Sequence, residues 1–331
     1  MIKKMNVGEV SKSASYVVEF ERDVHVLEFS PFVQSAALLA VSSDTSVTVS
    51  TCVFQEEEEQ ADGLVFDRLH VFEQLSRVCC LAWSPESHPG PHSQLIKFCT
   101  GAEDGSIRVF TYSLSGTGEG QELGGHSSFV NAVVFEPTEG QQIASVGDDR
   151  TCRIWTLDGV SKAFFSLKFS GVSVCWLPND PDKILVAEKA GAVRLYSLVD
   201  GGPLLSLESE RTTLATADWS GVANHYVGAA AGAEWLVWDL NFSSLPRQRK
   251  HAHVDGAHQF KWSHVCEGLF ATTGCVGKLQ GSLSIHNLAH DQGQPVLTAT
   301  VPAISGLSWH RLLPLCACGG NRRIYMWLVE L

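Results

Sequence analysis

Apolar and polar residues alternate along most of this chain in short runs, broken by Gly, Asp and Pro. One kind of run ends in an aromatic: VHVLEFSP, VCCLAWSP, NAVVFEP, VSVCWLP, then ATADWSG, HQFKWSH and SGLSWHR. The aromatics are Phe29, Trp83, Phe135, Trp176, Trp219, Trp262 and Trp309. A second kind reads SVTVS, SIRVF, TCRIW, AVRLY, WLVW, SLSIH and RIYMW. It ends at Ser50, Phe110, Trp155, Tyr196, Trp238, His286 and Trp327. Both kinds occur seven times, and they interleave strictly. Between each pair lies a third apolar segment, such as LIKFCT or QIASVG, followed by a turn-like cluster such as EDG or DDR. Period-two alternation with Gly and Asp turns predicts antiparallel strands. No run shows the 3.6-residue period of a helix. Each unit therefore predicts an inner, a second and a third strand, plus a variable outer one. Seven such units predict an all-β, seven-bladed β-propeller.

Four residues follow Trp327, so the seventh unit is expected to borrow its outer strand. Residues 14–20, ASYVVEF, have strand character and are the expected donor. Such closure removes free sheet edges. The chain then divides into a flexible N-terminus, residues 1–13, and a single propeller, residues 14–331.

The third unit is the most complete. It runs from Gly125-His126 to Trp155. It resembles WD-repeat families, in which a His, a Ser or Thr, a turn Asp and a Trp form one hydrogen-bond chain. Here those positions are His126, Ser145, Asp149 and Trp155. A shielded Asp–His pair contributes about 1.5–3 kcal/mol. We read it as a structural blade clasp, not a catalytic dyad. Other units keep pieces of the pattern. Asp44 and Asp104 stand at the turn position, and Ala190 and Gly232 replace it elsewhere. Unit five alone ends in Trp-Asp, Trp238-Asp239.

The net charge of −12 argues against a whole-surface affinity for nucleic acid or anionic membrane. No stretch approaches the ~20 apolar residues of a spanning helix. The lysines near the start have no apolar run behind them, so no secretory signal is expected. Ten Cys are scattered without a Cys-x-x-Cys pair, and most sit in apolar runs. They are expected to be buried, reduced thiols.

No Gly-x-Ser-x-Gly, phosphate loop or dinucleotide fingerprint is present. His25, Asp218 and Lys261 are the inner-strand polar groups that could approach the central channel. His251, His253 and His258 could suggest zinc, but no Cys or carboxylate completes a ligand spacing. Arg150, Arg322 and Arg323 make only a thin phosphopeptide reader. No enzyme activity, metal or cofactor is expected.

Function should sit where loops break the repeat. Residues 53–67, 84–94 and 113–121 are expected on one rim, opposite the Asp turns. The basic stretch 246–253, PRQRKHAH, is expected on the same rim across the ring. Within the first of these lies the run Glu56, Glu57, Glu58, Glu59. It is either a solvated loop or a docking site for a basic partner surface.

Longer stretches carry a more specific likeness: VHVLEFSPF (24–32), CVFQEEEE (52–59), IKFCTGAEDGSIRVFT (96–111), EGQQIASVGDDRTCRIW (139–155), LSLESE (205–210), LFATTG (269–274) and SGLSWHRLLPLCACGG (305–320). They resemble the thirty-seven-kilodalton nucleoporin family of vertebrates, WD-repeat subunits of the Y-shaped outer-ring subcomplex of the nuclear pore. That likeness implies a non-enzymatic scaffold. It implies docking on the hundred-and-sixty-kilodalton nucleoporin, beside other outer-ring nucleoporins. It implies residence in the nucleus, at the nuclear envelope, with roles in pore assembly, mRNA export and protein transport. It further implies kinetochore residence and a chromosome-segregation role in mitosis. No direct contact with nucleic acid and no membrane insertion is expected. The alternative is a WD-repeat adaptor of another complex, a ubiquitin ligase or chromatin modifier. The family's interface residues are not carried over to positions here.

Overall fold

A computed structural model describes residues 13–57, 63–90, 94–113, 116, 118–177, 180–210, 212–274, 279–289 and 294–330. The expected mobile N-terminus thus falls almost wholly outside the described residues, as do Glu58 and Glu59. The described residues form seven four-stranded sheets, all antiparallel. Six sheets use consecutive strands. Blade three, for example, runs Val130–Phe135, Gln142–Gly147, Thr151–Thr156 and Ser161–Ser166.

Blade seven uses Ile304–Trp309, Leu315–Gly320 and Arg323–Leu328, then takes Tyr16–Glu19 as its outer strand. Tyr16 pairs with Met326 and Glu19 with Arg323. The seven-bladed ring closed by an N-terminal strand is therefore as the alternating pattern implies. Among the described residues no helix is long and apolar enough to cross a membrane.

The inner-strand aromatics explain why the units face one another in a ring. All seven are buried. Four of them also reach back to the preceding inner strand. The indole Nε1–H of Trp83 donates to the Glu28 carbonyl at 2.9 Å, and that of Trp176 to Val134 at 3.3 Å. Trp262 donates to Asp218 at 3.2 Å and Trp309 to Lys261 at 3.0 Å. In each case the acceptor is the residue just before the previous blade's aromatic. One side chain thus supplies apolar burial and an inter-blade hydrogen bond worth about 1 kcal/mol.

The core lies between blades. Phe20, Leu27, Phe29, Phe54, Ala317 and Met326 pack as one cluster across blades seven and one. The Asp turns and the links between blades share one rim, and the other hairpins share the opposite rim. Inner strands from every blade line a central cavity of about 850 Å3.

Candidate docking face and blade clasps

In blade three the structure brings the four expected residues together. The His126 ring lies 2.9 Å from Asp149 through Nδ1 and 2.8 Å from Ser145 Oγ through Nε2. The Trp155 Nε1–H donates to Ser145 Oγ at 2.9 Å. A carboxylate only accepts, so Nδ1 carries the imidazole proton. Nε2 is then the acceptor, and Ser145 donates to it. The chain runs in one direction: Trp155 to Ser145, Ser145 to His126, His126 to Asp149. Thr151 adds a second donor to Asp149 at 2.8 Å. Burial pushes the Asp149 carboxyl upward, but the bonds from His126 and Thr151 prevail and hold it below its ordinary value. Burial likewise holds His126 below its ordinary value, against the pull of Asp149.

Blade six has a clasp that the repeat pattern does not announce. His253 Nε2 lies 2.9 Å from Thr272 Oγ1, and its Nδ1 lies 2.6 Å from Ser282 Oγ. Thr272 also lies 3.4 Å from His286 Nε2, where blade three has its Trp. No Asp takes part, and burial drives His253 down to about 4. His253 is therefore a clasp residue, although its neighbours His251 and His258 suggest a metal motif. Among the described residues no three His, Cys, Asp or Glu side chains gather to hold a metal. The missed signal is spacing: His126 and His253 each precede their inner-strand aromatic, Phe135 and Trp262, by nine residues. In blade five Ala229 holds the place of Ser145, and the buried Trp238 Nε1 has no partner.

The acidic run sits on the longest hairpin, Ser46–Phe54 with Leu64–Glu73. Its first two residues are exposed but lie against neighbouring elements. The Tyr16 hydroxyl donates to both Glu56 carboxylate oxygens, at 2.8 and 2.9 Å. Burial first and that bond second raise the Tyr16 phenol to about 12. Glu57 Oε1 lies 3.8 Å from Nε2 of the fully buried His310. His310 accepts the Leu313 N–H through Nδ1 and stands edge-on to Phe29 and Phe54 at 5.2 and 5.3 Å. Glu56 thus ties the hairpin to the ring-closing strand, and Glu57 lies beside blade seven.

The basic stretch is placed differently from expectation. Residues Gln248–His251 form the outer strand of blade five, and 252–256 lead to the Asp-turn rim. Two of its three cations are paired, Arg247 with Asp239 at 2.5 Å, and Arg249 with Glu234 at 2.5 Å and Glu210 at 2.8 Å, while Lys250 lies over the Trp235 ring at 6.0 Å. Strand geometry, not recognition, accounts for most of it.

Lys261 and Asp218 do line the channel, with His25 near its mouth beside Asp44 at 2.7 Å. Glu28 joins them: Lys261 Nζ lies 3.5 Å from its carboxylate, joining blades six and one. Asp218 accepts the Trp262 N–H at 2.8 Å. Burial raises both carboxyls, and Lys261 opposes that rise. Cys175 lies 3.8 Å from Asp218, but burial pushes its thiol up to about 12. A thiol so raised is no nucleophile near neutral pH.

Seven four-stranded blades and the blade-three clasp define a WD-repeat propeller. The model of the WD domain, G-beta repeat, matches residues 66–111 and 119–156. Nucleoporin Nup37 of Homo sapiens is 46% identical over 324 residues, covering 97% of this chain and 99% of the relative. Nucleoporin Nup37 of Mus musculus is 46% identical over 325 residues, covering 98% and 99%. Nucleoporin Nup37 of Drosophila melanogaster is 30% identical over 261 residues, covering 78% and 79%. The chain belongs to the Nup37 family of nucleoporins. It is a WD-repeat scaffold, not an enzyme.

Proposed function

We propose that this chain is a scaffold subunit of the Y-shaped outer-ring complex of the nuclear pore. It docks on the hundred-and-sixty-kilodalton nucleoporin and sits beside other outer-ring nucleoporins at the nuclear envelope. In that place it supports pore assembly, mRNA export and protein transport, and in mitosis it follows the complex to kinetochores. The observation that carries this reading is 46% identity across 99% of the human Nup37 relative. Blade clasps at His126 and His253 keep the ring rigid, which suits a part that positions others. Docking uses the rim opposite the Asp turns, where the blade-one hairpin projects. The acidic run Glu56, Glu57, Glu58, Glu59 is the docking loop proposed for a basic partner surface, and Glu56 also ties its hairpin to the closing strand.

The test is affinity capture of the tagged chain from interphase and mitotic extracts, read by mass spectrometry. Recovery of outer-ring nucleoporins, the large subunit foremost, is the expected result. Recovery of ubiquitin-ligase or chromatin-modifier subunits in their place overturns the reading. Fluorescent tagging in dividing cells checks the kinetochore step.

A further inference from the structure

The lone Trp-Asp dipeptide of the chain has a use outside the repeat. Asp239 ends the third strand of blade five, Glu234–Asp239, and is buried. Its carboxylate accepts the Asn241 N–H at 3.2 Å and pairs with Arg247 at 2.5 Å. Its carbonyl accepts the Phe242 N–H at 3.0 Å and the Ser243 N–H at 3.3 Å. Ser243 Oγ then accepts the Leu245 N–H at 3.0 Å, and Arg247 N–H returns to the Val237 carbonyl at 2.8 Å. Asn241, Phe242, Ser243, Leu245 and Arg247 are thus held by Asp239 or by a bond that follows from it, and the Leu240 N–H is held by the His225 carbonyl at 2.8 Å.

This fixed loop holds two large apolar side chains out of the protein. Phe242 is 79% exposed and Leu245 is 61% exposed. The Arg247 guanidinium covers the inner side of the Phe242 ring at 5.5 Å, which sets the ring's direction. Exposed Val222, between the first two strands of blade five, and exposed Val199, in the outer hairpin of blade four, lie on the same rim. Single exposed apolar residues need no explanation, but two large ones held out by one hydrogen-bonded loop mark an interaction site. The loop is ordered before any partner arrives, so little further ordering cost falls on binding.

The charges around it say what kind of partner fits. Exposed Asp182, Asp200 and Glu267 lie on this rim in blades four and six. The nearby cations are already matched, Arg247 by Asp239 and Lys183 by Asp180. An apolar knob on a rim that also carries exposed carboxylates is complementary to an apolar cleft bordered by Lys or Arg.

We propose that Phe242 and Leu245 form the apolar anchor by which this chain seats in a basic-bordered cleft of its large nucleoporin partner. This rests on the function proposed above and names the surface that performs it. The acidic hairpin of blade one, across the ring on the same rim, then acts as a steering charge. Anchors of this kind set the dissociation rate, whereas rim charges set the association rate and its salt dependence.

The test uses the full chain and the purified hundred-and-sixty-kilodalton nucleoporin, with binding kinetics read by biolayer interferometry. F242S/L245S is expected to weaken binding at least about 30-fold, mostly through faster dissociation. Replacing Glu56–Glu59 with Ser is expected to change affinity only a few-fold, and to flatten the salt dependence of association. Circular dichroism checks the fold of each variant, and L245R alone is the second test should the double variant unfold. If the wild-type chain does not bind that partner, the proposed function itself fails. If it binds and F242S/L245S and L245R bind within about threefold of it, the function stands and the anchor is overturned. Sedimentation of the chain alone covers the other occupant: a dimer that F242S/L245S abolishes shows a second copy on the knob and also overturns the proposal.

Discussion

Ser145→Ala removes one oxygen and strands two polar groups. Ser145 Oγ accepts from Trp155 Nε1 at 2.9 Å and meets His126 Nε2 at 2.8 Å, and the site is fully buried. No second acceptor serves the Trp155 N–H, and His126 is held in place by Asp149 on its other nitrogen. Each buried group left without a partner costs about 1–3 kcal/mol, so roughly 3 kcal/mol is a moderate sum for both. For a large domain that is about 2 °C per kcal/mol, or a fall of about 6 °C in the thermal midpoint. Thermal unfolding by near-ultraviolet circular dichroism at neutral pH measures it. Trp155→Phe supplies the sharper arm, because it removes the indole N–H and nearly keeps the shape. In that background Ser145→Ala strands one group instead of two and should cost about 1.5 kcal/mol less. An unchanged midpoint for Ser145→Ala, or an equal cost in both backgrounds, would refute the directed clasp.

Further outcomes follow from the same geometry. Burial holds His253 and His310 down to about 4, and His264 and His286 down to about 3. The unfolded chain binds more protons than the folded one below about pH 6.5, so stability falls on acidification by about 1–2 kcal/mol per histidine near pH 5. Urea unfolding from pH 7 to 5 should show this, with a shallower slope for His253→Gln, and an equal slope would count against a buried neutral His253. The Glu136 carboxylate accepts backbone N–H groups of Thr138, Glu139 and Gly140 at 2.6, 2.8 and 3.0 Å. Glu136→Gln should cost about 1–2 kcal/mol, measurable in the same urea series at neutral pH. Deleting residues 1–20 unpairs Arg323–Met326 and removes the buried Phe20 from its packing on Phe66, 5.9 Å away. Losing that ring alone costs about 3 kcal/mol, and an unchanged melting temperature would sink the closure.

Seven blades were legible because their marker residues do physical work that tolerates little change. An inner-strand Trp both fills the space between blades and reaches the previous strand, so the aromatic recurs. The closing strand was legible because a propeller with an open edge is unfavourable and ASYVVEF is its spare strand. The clasp of blade three kept every member and was readable residue by residue. The blade-six clasp was not, because Thr272 and His286 replace Ser and Trp, and Gln280 stands at the turn position of Asp149. The bond to the His253 Nδ1 comes instead from Ser282, at the position of Thr151, so the hydrogen bond survives while the motif is erased. The tie of Glu56 to Tyr16 and the approach of Glu57 to His310 bring together residues 40 and 253 positions apart. No local pattern encodes such pairs, since they exist only once the ring has closed. Residues 246–253 misled for the opposite reason: a basic run stands out in a sequence, whether or not its charges are matched across a sheet.

The pairing of Tyr16–Glu19 with the last strand also sets an order of events on the ribosome. The closing strand is made first and finds its partner last. About 300 residues separate the two, so at about 5–20 residues per second it waits roughly 15–60 s. Throughout that interval Val17 and Val18 belong to a strand with no sheet, and six blades stand as an open arc. The ring therefore becomes a ring only after its last strand, Arg323–Leu328, has been made.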